Sequence, residues 1–275
     1  MMATLCSVVL AYCACAPALN PSQDVSQYAH TAWKIRDGFA KGEITSIAQT
    51  PDGYLWLGTQ FGLLRFDGVR NTPWEPTPKQ HLRSNRILSL LAARDGTLWI
   101  GTWNGLASWK DGKLTQYREL DGHYIFKLLQ DRDGAIWAGG MRIENPVGRL
   151  CAIHNGDVHC HGDDGSLGRN IRGLYQDSNG DLWVGVLGGL WRWKPGPPKF
   201  YPLAGQPDGI QALGEDTDGV LLVGWNGGIK RFADGKTQPY ELPGFELKSR
   251  VRSMFRDRNG GLWIGTRNSS GLLTW

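Results

Sequence analysis

One phrase recurs six times along this chain, and it limits the possible folds more than any other feature. Its clearest copies read ITSIAQTPDGYLWLGTQFGLLRF from Ile44, ILSLLAARDGTLWIGTWNGLASW from Ile87 and IRGLYQDSNGDLWVGVLGGLWRW from Ile171. Further copies begin at Ile125, Ile210 and Val251. An Asp-Gly or Asn-Gly pair marks each copy, at Asp52, Asp95, Asp133, Asn179, Asp218 and Asn259, spaced by 43, 38, 46, 39 and 41 residues. A tryptophan follows soon after the pair in five copies (Trp56, Trp99, Trp137, Trp183 and Trp263), and Leu222 takes its place in the fifth copy.

Each copy reads as four strands. An apolar stretch such as Ile44 to Ile47 is the first. The Asp/Asn-Gly pair supplies a hairpin turn, because glycine reaches positive φ without steric cost. Leu-Trp-x-Gly is the second strand, and a loop leads to a third such as Gly105 to Trp109. A second turn, as at Asp111-Gly112, leads to a polar fourth strand such as Lys113 to Arg118. Four strands in about forty residues, with no helical periodicity, predict an all-β propeller blade. A single blade cannot bury both of its faces. The repeated tryptophan is a flat apolar plate for the neighbouring blade, and the glycine after it permits close backbone approach.

The repeats divide the chain near 44–86, 87–124, 125–170, 171–209, 210–250 and 251–275. The propeller occupies 19–275. Residues 30–36 resemble a fourth strand, and the sixth copy stops at the end of its third, so the N-terminal strand is expected to complete the last blade and remove an open edge. Two readings stay open: six blades that close as given, or part of a seven-bladed ring. Residues 1–18 read as a secretory signal peptide without the usual basic start, their apolar stretch being too short to span a bilayer. A formal charge of +4, with scattered basic residues, argues against nucleic-acid binding.

The phrase from Asp52 to Phe66 resembles the two-component regulator propeller repeat, and the lead-in from Ser26 to Phe39 is similar to the start of such sensor regions. The resemblance implies a periplasmic or otherwise extracytoplasmic ligand-sensing propeller, for which oligosaccharides are one ligand class. It also implies a β-sandwich, a membrane helix and a kinase-type module in a full-length parent. None of these is expected within this chain.

Cys151 and Cys160 flank the turn Asn155-Gly156, and counting outward from it sets them opposite each other in a close pair, within disulfide range. A metal site with His154, His159 or His161 is the weaker alternative, because strand alternation puts His159 and His161 on the face opposite Cys160. The Asp-x-Asp/Asn-Gly turns lack the remainder of a calcium loop. No nucleophile–base arrangement, phosphate loop, metal motif or cofactor motif stands out, so neither enzyme chemistry nor a cofactor is expected. A streptogramin-lyase-like enzyme, with His81 and His123 in loops, and a protein-docking scaffold are the alternatives. The variable loops after the second strand are where binding concentrates. Trp103-Asn104 and Trp225-Asn226 sit there, read as equivalent pairs, together with Arg142 and Arg267. An aromatic plate beside an amide is suited to a sugar ring, so these six residues form the expected site for an oligosaccharide or other small ligand. The competing reading has both tryptophans plugging the central channel.

Overall fold

The computed structural model describes residues 33, 39–76, 80–203, 209–242, 249–257, 260–266 and 272–274. Their strands form six antiparallel sheets in chain order. Blade 1 holds β1 (Ile44–Gln49), β2 (Leu55–Thr59), β3 (Gly62–Phe66) and β4 (Asn71–Pro73). Blade 2 holds β5 (Ile87–Ala92), β6 (Leu98–Thr102), β7 (Gly105–Lys110) and β8 (Lys113–Tyr117). Blade 3 holds β9 (His123–Gln130), β10 (Ile136–Arg142), β11 (Gly148–His154) and β12 (Asp157–His161). Blade 4 holds β13 (Gly173–Gln176), β14 (Leu182–Val186), β15 (Gly189–Lys194) and β16 (Lys199–Pro202). Blade 5 holds β17 (Leu213–Glu215), β18 (Leu221–Trp225), β19 (Gly228–Ala233) and β20 (Lys236–Tyr240). Blade 6 has three strands among the described residues: β21 (Val251–Arg256), β22 (Leu262–Thr266) and β23 (Leu272–Thr274). The expected signal segment lies outside the described residues, as does the strand expected at 30–36 except for Trp33.

First strands pack on the first strands of the next blade, which places them innermost. The core is not one mass but a series of seams. Trp56 and Leu63 of blade 1 meet Ile87, Leu90, Leu98 and Ile100 of blade 2. Trp99 and Leu106 meet Ile125, Leu128 and Ile136, and the pattern repeats between blades 3 and 4, 4 and 5, and 5 and 6. The tryptophan is thus the plate that blades 1 to 4 offer to the next blade, and Leu222 takes its place in blade 5. Apolar area removed from water at these seams is the main favourable term, at about 25 cal/mol per Å².

The tryptophan is also pinned. Its indole N–H donates to a carboxylate six residues earlier: Trp137 to Asp131, Trp183 to Asp177 and Trp263 to Asp257, each at 2.7 Å. The other oxygen of each carboxylate accepts a backbone N–H across the hairpin turn, at 2.8–2.9 Å. One aspartate therefore closes the turn and fixes the ring. Blade 1 uses Thr50 Oγ1 instead, at 2.9 Å. Blade 5 has Leu222, and Asp216 pairs with Arg231.

In the β11–β12 hairpin Asn155 and Gly156 both take positive φ (52° and 90°), as a two-residue primed turn requires. That register sets Cys151 opposite Cys160 with Cα atoms 4.1 Å apart, and their sulfurs are bonded at 2.07 Å. His159 pairs with Ala152 and His161 with Leu150.

Two measurements check this packing. Trp183→Ala should cost about 3–5 kcal/mol in urea unfolding, whereas Trp183→Phe, which keeps a ring but removes the bond to Asp177, should cost about 1–2 kcal/mol. Reducing the disulfide, whose loop is short, should cost about 2–3 kcal/mol and lower Tm accordingly.

Candidate functional site

The loop positions singled out by sequence are built on the turn after the second strand. In blade 2, Thr102 pairs with Gly105, so Trp103 and Asn104 form the turn itself. In blade 5, Trp225 pairs with Gly228, so Asn226 and Gly227 form the turn. Trp225 therefore stands where Thr102 stands, and the two Trp-Asn pairs are offset by one residue. Their expected equivalence is corrected: the glycine before each loop, Gly101 or Gly224, sets the count, and one residue of shift turns a side chain to the other face.

The two tryptophans also occupy separate surroundings. Trp103 has the Arg86 guanidinium 3.7 Å from its ring centre and the edge of Tyr124 at 4.5 Å. Trp225 is half-buried with the Lys230 ammonium 4.0 Å from its ring. The amides are already engaged through their oxygens. Asn104 Oδ1 accepts the Gly122 N–H at 2.9 Å, tying the blade 2 loop to the start of blade 3. Asn226 Oδ1 accepts from Arg250 Nε at 2.5 Å. Arg142 is exposed at the end of β10, opposite His123 and one residue past Met141, which pairs with Tyr124. It thus belongs to the Trp103 side. Arg267 lies outside the described residues.

Around Trp103 the structure assembles more than the sequence suggested. Tyr124 and Phe126 lie 5.7 Å apart at 31°, and the Arg172 guanidinium sits 4.5 Å from the Phe126 ring. Arg86, Trp103, Tyr124, Phe126 and Arg172 thus form a ladder across blades 2, 3 and 4: a cation, three rings and a second cation. All three rings are half-buried. Arg86 and Tyr124 each immediately precede the first seam residue of their blades. Phe126 is the extra residue of a β-bulge, for the register of β9 on β10 skips it. Large or charged residues at this place in the repeat, which is Thr45 in blade 1, were the signal that could have revealed the ladder.

His123 is 2% exposed and held on both sides. Its Nδ1 lies 2.8 Å from the Asp121 carbonyl and its Nε2 3.1 Å from Arg149 Nη1, while Arg149 pairs with Asp163 at 3.0 Å. A neutral ring that donates from Nδ1 and accepts at Nε2 satisfies all three partners. Burial, reinforced by the charge of Arg149, pushes its pKa below the usual histidine value. His81 is exposed, and its carbonyl accepts from Gln116. Because the unfolded chain takes the proton on His123 first, stability is full above about pH 6.5 and falls as pH drops below it. Thermal melts between pH 7.5 and 5 should show this loss, and His123→Gln should flatten the slope in that window.

The two-component regulator propeller family matches residues 38–61, 81–104, 165–188 and 247–268. Among curated proteins no sequence matches the chain. Among solved structures, the chain is similar to an extracellular domain described as part of a hybrid two-component system of B. thetaiotaomicron (18% identity, 89% of this chain and 41% of that one, TM-score 0.50). It spans about two fifths of the length of such domains. It is also similar to an inactive variant of virginiamycin B lyase from Staphylococcus aureus solved with quinupristin (15% identity, 84% and 83% coverage, TM-score 0.62). A third likeness is the WD40 β-propeller domain of Doa1 (16% identity, 86% and 79% coverage, TM-score 0.59). At these identities the likenesses show the fold, and several of the neighbours are enzymes. The chain is a β-propeller, and four of its segments match the two-component regulator propeller repeat.

Proposed function

We propose that this propeller is the extracytoplasmic ligand-binding part of a two-component-type sensor, and that it holds an oligosaccharide or similar small ligand without altering it. The observation that carries the reading is the ladder from Arg86 to Arg172. Three ring surfaces in a row, with a cation at each end, offer C–H stacking for sugar rings and charge-assisted hydrogen bonds for hydroxyl or carboxylate groups. Arg142 stands at the same side of blade 3. Trp225 and Asn226 form a separate surface on blade 5 that a longer ligand would reach, and Arg267 is the remaining candidate. In this reading export depends on the first 18 residues, and output belongs to a sandwich, a membrane helix and a kinase-type module of the parent protein.

His123, the one buried histidine in these loops, bonds on both sides to structural partners, which favours binding over lyase chemistry. Calorimetry against neutral and uronic-acid-containing plant and microbial oligosaccharides tests the proposal. One of them should bind with a Kd on the order of micromolar, and Trp103→Ala or Phe126→Ala should weaken it about tenfold or more, a loss of about 1.4 kcal/mol, with Tm unchanged. Trp225→Ala should weaken only the longer ligands. Absence of binding across the panel leaves the protein-docking scaffold as the better reading.

A further inference from the structure

The start of blade 3 carries a charged cluster that the ladder does not use. Residues that pair across an antiparallel sheet share a face, and every second residue of a strand returns to it. His123 pairs with Arg142, while Gly140 pairs with Ile125 on one side and Arg149 on the other. Positions 140 and 142 share a face, so His123, Arg142 and Arg149 share it as well. That face looks toward blade 2, because Ile125 on it enters the slot beside Gly101. The Trp103-Asn104 turn stands there too, tied to the residue before His123 by the bond from the Gly122 N–H to Asn104.

The charges around this face do not balance. Asp121 pairs with Arg83 at 2.8 Å, and Asp163 pairs with Arg149 at 3.0 Å. Each carboxylate is thereby committed to one arginine. Arg142 is exposed, and its guanidinium has no ion pair or hydrogen bond among the described residues. Glu144, two residues further on, is exposed and pairs with neither Arg142 nor Arg149.

Arg149 is the second unsatisfied donor. Its side chain is 13% exposed. Nη1 serves both His123 Nε2 and Asp163, whereas Nε is buried with no partner. A buried N–H without an acceptor is costly, and neutral His123 has a single lone pair, which Nη1 already uses. Burial lowers the Arg149 pKa, Asp163 opposes the shift, and the charge of Arg142 adds to it. The same charge acts on His123. Arg142 is thus close enough to be felt by both side chains, and what this face lacks is a negatively charged acceptor.

We infer that Arg142 and Arg149 form a subsite for an oxyanion carried on a sugar: a carboxylate, sulfate or phosphate group. The inference rests on the sugar-binding reading above and adds the charge of the ligand to it. Arg142 meets the anion from the solvent side with its planar fork. Arg149 supplies the second charge and the N–H groups that Nη1 leaves over, while His123 and Asp163 hold its orientation. A sugar hydroxyl in the same place would leave the surplus positive charge uncompensated. The subsite adjoins the Trp103 turn, so the ligand sets its charged unit over the start of blade 3 and its remaining rings along the ladder.

Calorimetry on the full chain at constant chloride tests this. The probes are glucuronate, glucose 6-sulfate, glucose 6-phosphate, glucose and inorganic sulfate. At least one of the three charged sugars should bind with a Kd on the order of millimolar or tighter, and glucose about tenfold or more weakly than that. The tightest of the three identifies the oxyanion. Arg142→Gln should weaken that sugar about tenfold or more and leave glucose unchanged. Arg142→Lys, which keeps the charge without the fork, should fall between the two. Arg142 is exposed, so both variants should keep the Tm of the unaltered chain. Trp103→Ala reports on the ladder separately. A charged sugar that needs Arg142 but not Trp103 would uphold the subsite and remove the ladder. Neutral oligosaccharides that need Trp103, with no charged sugar bound better than glucose, would keep the ladder and overturn the subsite. A charged sugar bound equally well by the Arg142→Gln chain also overturns it. So does inorganic sulfate bound as tightly as any charged sugar, which would mean an adventitious ion only.

Discussion

In blades 1 to 5 the second strand carries a glycine (Gly58, Gly101, Gly139, Gly185 and Gly224) because the next blade's first β-branched residue occupies the volume where a Cβ would stand. At Gly58, Gly101 and Gly139 the clash would be with an isoleucine methyl group at 2.5–2.8 Å. Such a contact cannot be relieved by rotating a side chain at the glycine, since the carbon in question is the first one. The spacing between blades is therefore set by backbone against side chain, and the tryptophan, the turn and the outer strands are arranged around that spacing. An alanine at any of these positions would push two blades apart, and the cost would spread over the whole seam because interiors are close-packed.

The aspartate–tryptophan bond answers a second problem, that of holding a large ring in one orientation on a narrow sheet. Burial drives the Asp131 carboxyl upward, yet Lys194 from the next blade, the Trp137 indole and the Ala135 amide together hold it below the usual carboxylate value. A buried carboxylate is tolerable only with this many donors. Blade 5 shows the dependence from the other side. Leu222 offers no donor, and Arg231 supplies the charge that Asp216 then needs, reaching Asp218 as well. Blade 2 has Ala93 where the aspartate would be, and Trp99 stacks on Tyr117 at 5.0 Å instead.

How much of this was legible depended on whether the repeat itself carried the signal. The turn and the slot glycine recur in every copy and the plate in five of the six, so period and alternation sufficed for the blades, the hairpin register and the facing of Cys151 and Cys160. The binding side was less legible because it is written in departures from the repeat. Trp103-Asn104 and Trp225-Asn226 look alike as dipeptides, but only a count from Gly101 and Gly224 shows that they differ by one position. Asn104 and Asn226 read as free amides, whereas a neighbouring blade or strand already uses each oxygen. Tyr124 and Phe126 lie in a first strand that reads as core and Arg172 immediately before another, and their contacts join residues up to 46 positions apart in sequence, which no local pattern encodes.

The bulge in the first strand explains why variation collects there at little cost. In blades 1, 2, 3 and 6 the register on the second strand skips one residue: Thr45, Leu88, Phe126 or Arg252. A bulged residue makes no ladder pair, so its side chain can change without breaking the sheet. Its neighbours on the strand are the seam residues, which cannot change. Successive blades therefore bring a row of unconstrained positions together near the inner edge of a rigid frame. Contacts form along that row, as Arg172 on Phe126 and Arg252 on Gln211 do. The rigidity of the glycine seams and the freedom of the bulges are two consequences of one strand geometry. The first fixes where a ligand can sit, and the second lets its chemistry be chosen residue by residue.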